Sequence, residues 1–331
     1  MSVVPTTHQF APIKGGRRSW LQSLMVGIPQ RYVVALGRAL GQAAYYLDIP
    51  HRRVVRRNLE FCFPDWPLEQ IRSFSQRIYQ NLGIVVAEMF QMNSFSREDV
   101  LQRVEIRGKE HLEEALAQKR GVVLTSVHLA NWEMAALMLG AASQTPVTVI
   151  SKELRFSLAN RWNYKVRGRL GVNTVHKKDS FPEMLQAIRQ GHIVVITVDM
   201  NRGKNEVEVE FLGKRATTTL SAALLAMRCR SPIVPGFCYR NRDGRLVAEV
   251  KPAITVVRTG DLRVDLQRTS QQVSDAIEEA VRRFPDQWLW HQKRWKVFYP
   301  QLYPEYFFQR KRRKEKKMRR RRRATETDSP N

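Results

Sequence analysis

The chain has 331 residues, of which 43% are hydrophobic and 9% aromatic, enough to bury a large core and too apolar for global disorder. Fifty-six Lys and Arg against 31 Asp and Glu give a formal net charge of +25, which calls for an anionic partner: nucleic acid, a phosphorylated substrate or an acidic membrane face. The three cysteines, Cys62, Cys229 and Cys238, include no CxxC pair, which excludes a disulfide scaffold or cysteine zinc site and fits a reducing, cytoplasm-facing environment.

Residues 1–63 read as an N-terminal membrane-associated helical region. An uncharged stretch runs from Ser19 to Gln30, and a second runs from Tyr32 to Leu47 with Arg38 inside it. Neither reaches the roughly 18 to 20 uncharged residues that a plain membrane-spanning helix needs. Both are framed by arginines, Arg17 and Arg18 before and His51 to Arg57 after. That pattern suits helices lying in a membrane interface, with Trp20, Tyr45 and Tyr46 near headgroup depth. An amphipathic hairpin packed on the main body is the other reading. No small-residue cleavage site closes the first stretch, so a secretory signal is not expected.

From 64 to 309 helical and strand signals alternate. Pro67–Asn93 carries apolar residues at helical spacing and predicts a long helix, and Glu110–Lys119 predicts a short one. Val122–Val127 is a β-branched run read as a buried strand. Helix Trp132–Leu139, strand Pro146–Ile150 and basic helix Asn160–Leu170 follow. Pro182–Gln190 is a helix with Ser180 as candidate cap, and Ile193–Val198 is a strand ending at Asp199. Leu220–Cys229 reads as helix, Ile233–Tyr239 and Leu246–Val250 as strands, and Leu266–Phe284 as a closing helix. The alternation predicts an α/β domain with a mixed, largely parallel sheet flanked by helices. Active sites of such sheets gather where the carboxyl ends of strands meet loops, and both His128 and Asp199 fall at such ends. Beyond Arg310 lies a basic tail, 310–331. Arg310–Arg323 holds twelve basic residues and one acid, too dense a like charge to pack, and reads as a solvated anchor for anionic surfaces or a solubilising end.

The segment Ser126-Val-His128-Leu-Ala-Asn131-Trp132-Glu133 carries the sharpest chemistry. On a straight helix His128 and Glu133 would stand about 140° apart. Across a strand-to-helix turn they can meet. A carboxylate accepting from one ring nitrogen fixes the tautomer and makes the other nitrogen a base for an alcohol proton. A His-x4-Glu spacing alone is common, and a structural histidine is the default reading of it. No GxSxG elbow or reactive cysteine accompanies the pair, and His176, His192 and His291 lack metal-ligand spacing. A basic nucleic-acid binder is the reading from another class, but no recognition motif or aromatic–basic platform supports it.

Five ordered blocks change the weight of that segment. Residues 126–133 closely resemble the histidine–glutamate motif of the late acyltransferases of lipid A biosynthesis, within the wider lysophospholipid acyltransferase superfamily. Arg56-Arg57-Asn58-Leu59-Glu60-Phe61-Cys62-Phe63-Pro64 resembles that family's early signature, and Arg167-Gly-Arg169-Leu-Gly171 its basic helix. Phe211-Leu-Gly213-Lys-Arg-Ala216-Thr217-Thr218 and the stretch Pro285–Lys296 resemble its later blocks. Asp199 stands where the family has a strand-ending aspartate, although Met200-Asn201 departs from the glutamine and further acid often found there.

The resemblance implies an O-acyltransferase on the cytoplasmic face of the inner membrane. It would move a fatty acyl group from acyl carrier protein to a hydroxyl on a lipid A precursor, with anionic lipid as a further partner and no metal or other cofactor. His128 would be the base and Glu133 would hold and polarise it. Arg167, Asp199, Asn131 and Arg169 would bind substrate. Arg167 or a backbone amide would meet the charge developing on the thioester oxygen, an interaction worth about 3 to 4 kcal/mol when well aimed. An acyltransferase acting on another phospholipid or glycolipid with acyl-CoA is the alternative. The early helix Trp132–Leu139 would line an acyl groove or simply pack. Trp288, Trp290 and Trp295 read as packing residues.

Overall fold

The computed structural model describes residues 20–151, 164–176, 180–201 and 206–305. The helices are α1 Trp20–Gly27, α2 Gln30–Leu47, α3 Ile49–Cys62, α4 Leu68–Met92, α5 Arg97–Arg103, α6 Lys109–Ala117, α7 Trp132–Ala142, α8 (described over 164–169), α9 Phe181–Arg189, α10 Ser221–Cys229 and α11 Leu262–Arg283. The strands are β1 Val104–Arg107, β2 Val122–Ser126, β3 Val147–Ser151, β4 Val172–His176, β5 Ile193–Thr197, β6 Val207–Phe211, β7 Lys214–Thr218, β8 Ile233–Arg240 and β9 Leu246–Val250. The basic tail and the residues before Trp20 lie outside the described residues.

Among the described residues seven strands form one sheet in the order β1-β9-β8-β2-β5-β3-β4. Every pairing is parallel except β8–β9. The protein is therefore an α/β domain with a mixed, mostly parallel sheet flanked by helices, as the alternation of signals predicts. Side chains of β2 alternate between two buried clusters. Val123 packs with Ile188 of α9, Leu225 of α10 and Ile277 of α11, and Val122 and Leu124 with Leu137 of α7 and Val100 of α5. Helices thus cover both faces, which is why the central strands read as continuous apolar runs.

Some elements carry weaker sequence signals. The hairpin β6–β7 turns through Leu212 and Gly213, both at positive φ (52° and 70°), as a two-residue type I′ turn requires. Leucine in that position hides the turn from sequence reading. Strand β1 has four residues and β4 carries Asn173 and Thr174, so neither shows an apolar run.

The N-terminal helices are tied closely to the body. Gly37 and Gly41 of α2 meet Gly83 of α4 at a backbone crossing: a Cβ on Gly37 would lie 2.5 Å from Ile84 Cα, and one on Gly83 2.6 Å from the Gly41 nitrogen. Tyr45, Val55 and Leu59 share a buried cluster with Val194, Trp288 and Trp290 of the α/β body. Opposite its glycine face, α2 presents Tyr32, Leu36, Leu40, Tyr46 and Leu47 to solvent. At 100° per residue these five fall on one stripe about 120° wide. Tyr45, read from the sequence as a headgroup-level partner of Tyr46, is instead buried against Tyr79, because it lies on the glycine side of the helix. Among the described residues no helix is long and apolar enough to cross a membrane.

Candidate active site

Strands β2 and β5 pair in parallel with Ser126 opposite Thr197. Two residues further along each chain, His128 and Asp199 stand side by side at the carboxyl end of the sheet. His128 Nδ1 lies 2.8 Å from Asp199 Oδ1, and the His128 backbone N–H donates to Oδ2 at 3.1 Å. The Trp288 indole N–H donates to the same Oδ2 at 2.9 Å, and the Gln292 amide lies at 3.4 Å. Asp199 is fully buried while the His128 side chain keeps 18% of its surface open. Burial alone would raise the Asp199 carboxyl, but the neighbouring His128 charge and these donors overcome it and hold the pKa at about 2. With the carboxylate ionised, Nδ1 carries the hydrogen and Nε2 carries the lone pair.

The loop after β2 is held by the closing segment. Leu129 and Trp288 form an antiparallel bridge, Ala130 N–H donates to the Gln287 carbonyl, and Leu289 N–H donates to the His128 carbonyl. Ala130 adopts φ 43°, a strained value for a residue with a side chain, and its clamped neighbours sustain it. Asn58 in turn donates to the carbonyls of Trp290 and Gln292, each at 2.8 Å. The early and closing sequence blocks, more than 200 residues apart in the chain, therefore meet behind the His128 loop. Arg294, 1% exposed, donates to the carbonyls of Met200 and Thr217 and joins a third block to them.

The structure arranges the expected site residues differently from the spacing argument. The ring nitrogen that the sequence reading gives to Glu133 is held by Asp199. Glu133, in the first turn of α7, accepts from Arg167 of α8 through both oxygens: Nη2 lies 2.7 and 2.8 Å from Oε1 and Oε2, and Nε 3.1 Å from Oε2. The cause is register. Cross-strand pairing brings position 199 level with 128, whereas the helical turn aims Glu133 at α8. Arg167 is itself buried. Asn131 is wholly buried; its side-chain oxygen caps α7 by accepting from Met134 N–H, and its amide donates to Glu88 at 2.9 Å. Arg169 donates to the carbonyls of Asn93 and Phe95. Both hold the scaffold. Trp288 and Gln292, which sequence reasoning assigned no chemical role, are the residues that complete the aspartate's partners.

His128, Glu133 and Arg167 open onto a cavity of about 420 Å³. Its wall beneath α7 is apolar: Trp132, Ala135, Ala136 and Leu139 face Leu124, Val149 and Val195 of the sheet. The residues of α7 divide between two surroundings: Leu137 is in the core, and Ala135 and Ala136 line the cavity. Among the described residues no cluster of His, Cys, Asp and Glu is placed to hold a metal ion.

A buried carboxylate thus fixes one ring nitrogen of a histidine that lines a cavity with an apolar wall beneath α7. The comparisons give the transferred group. The sequence pattern of the bacterial lipid A biosynthesis acyltransferases matches residues 20–297, and the chain belongs to that family. It is an O-acyltransferase of the late lipid A type. It is 25% identical to the lipid A biosynthesis lauroyltransferase of Escherichia coli K12 over 295 residues, covering 85% of this chain and 92% of that one. The lipid A biosynthesis palmitoleoyltransferase of the same organism is 22% identical over 277 residues, 83% and 88% of the two chains. A phosphatidylinositol mannoside acyltransferase of Mycobacterium tuberculosis is 24% identical over 222 residues, 65% and 68%.

Proposed function

We propose that the protein transfers a fatty acyl group from acyl carrier protein to a hydroxyl of a lipid A precursor at the cytoplasmic face of the inner membrane. The observation that carries the reading is the Asp199-held His128 lining a cavity of about 420 Å³ whose wall beneath α7 is apolar. His128 Nε2 takes the hydroxyl proton as the oxygen attacks the thioester carbonyl. The carbon–sulfur bond breaks, and the imidazolium returns the proton to the leaving thiolate. Asp199 stabilises the imidazolium in between. The acyl chain lies beneath α7, against Ala135, Ala136 and Val195. Arg167, fixed by Glu133, faces the developing negative charge from the cavity wall. The thioester is already activated, so this route asks for no nucleotide or metal. The outward stripe of α2 lies in the membrane interface, where the acceptor lipid is presented, and anionic lipid and the tail 310–331 hold the enzyme there.

The test has two parts. Mass spectrometry of the lipid A pool in a strain lacking the protein should show species short of one acyl chain. Purified enzyme should use acyl carrier protein thioesters in preference to acyl-CoA. Similarity to the mannoside acyltransferase supports a different glycolipid acceptor as the second reading; an unchanged lipid A pool together with acyl-CoA turnover would favour that reading with acyl-CoA as donor.

A further inference from the structure

A second concavity, of about 440 Å³, lies where the C-terminal end of α2 meets α3 and the start of α4. It shares no lining residue with the His128 cavity. Its walls carry Arg52 and Arg56 of α3 and Arg72 of α4, beside Tyr45, Tyr46 and Leu68, and among the described residues no carboxylate lines it. Arg52 is set in place by its own contacts: Nη1 donates to the Tyr45 carbonyl at 2.9 Å and the guanidinium lies 5.0 Å over the Tyr45 ring. Arg56 has an exposed pairing with Glu60 one turn along α3, at 2.7 Å, an interaction of the kind worth little in water and readily exchanged. Arg72, exposed, lines the hollow from α4. Three guanidiniums lining one hollow offer the donors that phosphate oxygens accept through paired hydrogen bonds.

The rim says what kind of phosphate. Tyr46 is 53% exposed, Leu47 82% and Leu68 65%, so the basic hollow opens among large apolar side chains. Tyr46 and Leu47 also end the outward stripe of α2 that begins at Tyr32. A free phosphate or a nucleotide would leave this apolar rim in water. A lipid would cover rim and stripe together. We propose that this hollow binds the headgroup phosphate of an anionic phospholipid, with the acyl chains running along the outer face of α2. The site is separate from the acceptor cavity and would fix the orientation of the enzyme on its membrane. It rests on the reading that the α2 stripe contacts lipid.

The experiment is co-sedimentation of the full chain with phosphatidylcholine vesicles, with and without phosphatidylglycerol. Arg56→Gln with Arg72→Gln should cut the gain in affinity that phosphatidylglycerol gives by about tenfold, while binding to pure phosphatidylcholine stays the same. The control pair Arg189→Gln with Arg242→Gln removes the same charge from exposed positions elsewhere and should leave the gain intact. Equal losses in both pairs would mean diffuse attraction by the whole basic surface and would overturn the site. So would unchanged vesicle binding with a raised KM for acyl carrier protein, which would make the hollow a protein-docking surface. Failure of the unmodified chain to bind any vesicle would overturn the membrane-contact reading as well.

Discussion

Two carboxylates stand within the same site and do opposite things. Asp199 is buried, accepts from His128, Trp288 and Gln292, and is held at a pKa of about 2. Glu133 faces the cavity and spends both oxygens on Arg167. The first orients a histidine ring through Nδ1; the second fixes an arginine at the cavity wall. Sequence proximity pairs the wrong carboxylate with the ring, since five residues along the chain is a longer path here than one step across a parallel sheet. The contrast also separates two kinds of failure. Under the proposed mechanism, loss of Asp199 should damage the proton path, and loss of Glu133 the placing of charge around the substrate.

His128→Ala and Asp199→Asn give the largest expected effects, each lowering kcat/KM by roughly 10³- to 10⁴-fold in folded protein. An asparagine amide in place of the carboxylate can donate to Nδ1 and stabilise the wrong tautomer. Steady-state kinetics on detergent-dispersed substrate measures this, and turnover within tenfold of the unmodified enzyme would remove His128 as base. Glu133→Gln should cost about 10²-fold by a different route. Because Glu133 and Arg167 act as one unit, the double variant Glu133→Gln with Arg167→Ala should lose little more than the worse single variant. Additive losses would show that Glu133 acts on something other than Arg167.

The same comparison has a stability side. The Asp199 carboxyl is lowered from 3.8 to about 2, so its charge stabilises the fold above pH 3.8, and that contribution is lost as pH falls through about 2. It amounts to about 2 kcal/mol. Urea titrations at pH 7 and pH 3 should show a steeper acid loss in the unmodified chain than in Asp199→Asn. Gly41→Val tests whether the scaffold is separable from the site. A Cβ there would overlap the Tyr79 carbonyl and lie 2.7 Å from Gln80 Cα, so the α2–α4 crossing must open, at a cost of about 1 to 3 kcal/mol. The melting temperature should fall while the ratio between Asp199→Asn and Glu133→Gln activities stays the same. Deleting 310–331 has the smallest expected effect. It should release the enzyme from membranes at lower salt and leave turnover on dispersed substrate intact.

Much of this was legible in the residues. The apolar runs at 122–127, 193–198 and 233–239 mark buried strands because both faces of the sheet are covered, and the position of His128 and Asp199 at strand ends marks the active edge. What the residues hid was strand order. Only the β2–β5 pairing makes Asp199 the neighbour of His128, and nothing in either segment states which strands adjoin. The hairpin β6–β7 was hidden by its Leu-Gly turn, and the scaffolding roles of Asn131 and Arg169 by partners on α4 and in the 93–95 turn, far away in sequence. Trp288 reads as a packing and interfacial residue, and its ring is indeed buried, yet its one polar atom reaches the aspartate.

The central claim, that Asp199 rather than Glu133 fixes the His128 ring, is tested most directly by nitrogen-15 NMR of histidine-labelled protein. The neutral His128 ring should carry its hydrogen on Nδ1 in the unmodified chain and in Glu133→Gln, and lose that preference in Asp199→Asn. A tautomer unchanged in Asp199→Asn but altered in Glu133→Gln would contradict the account.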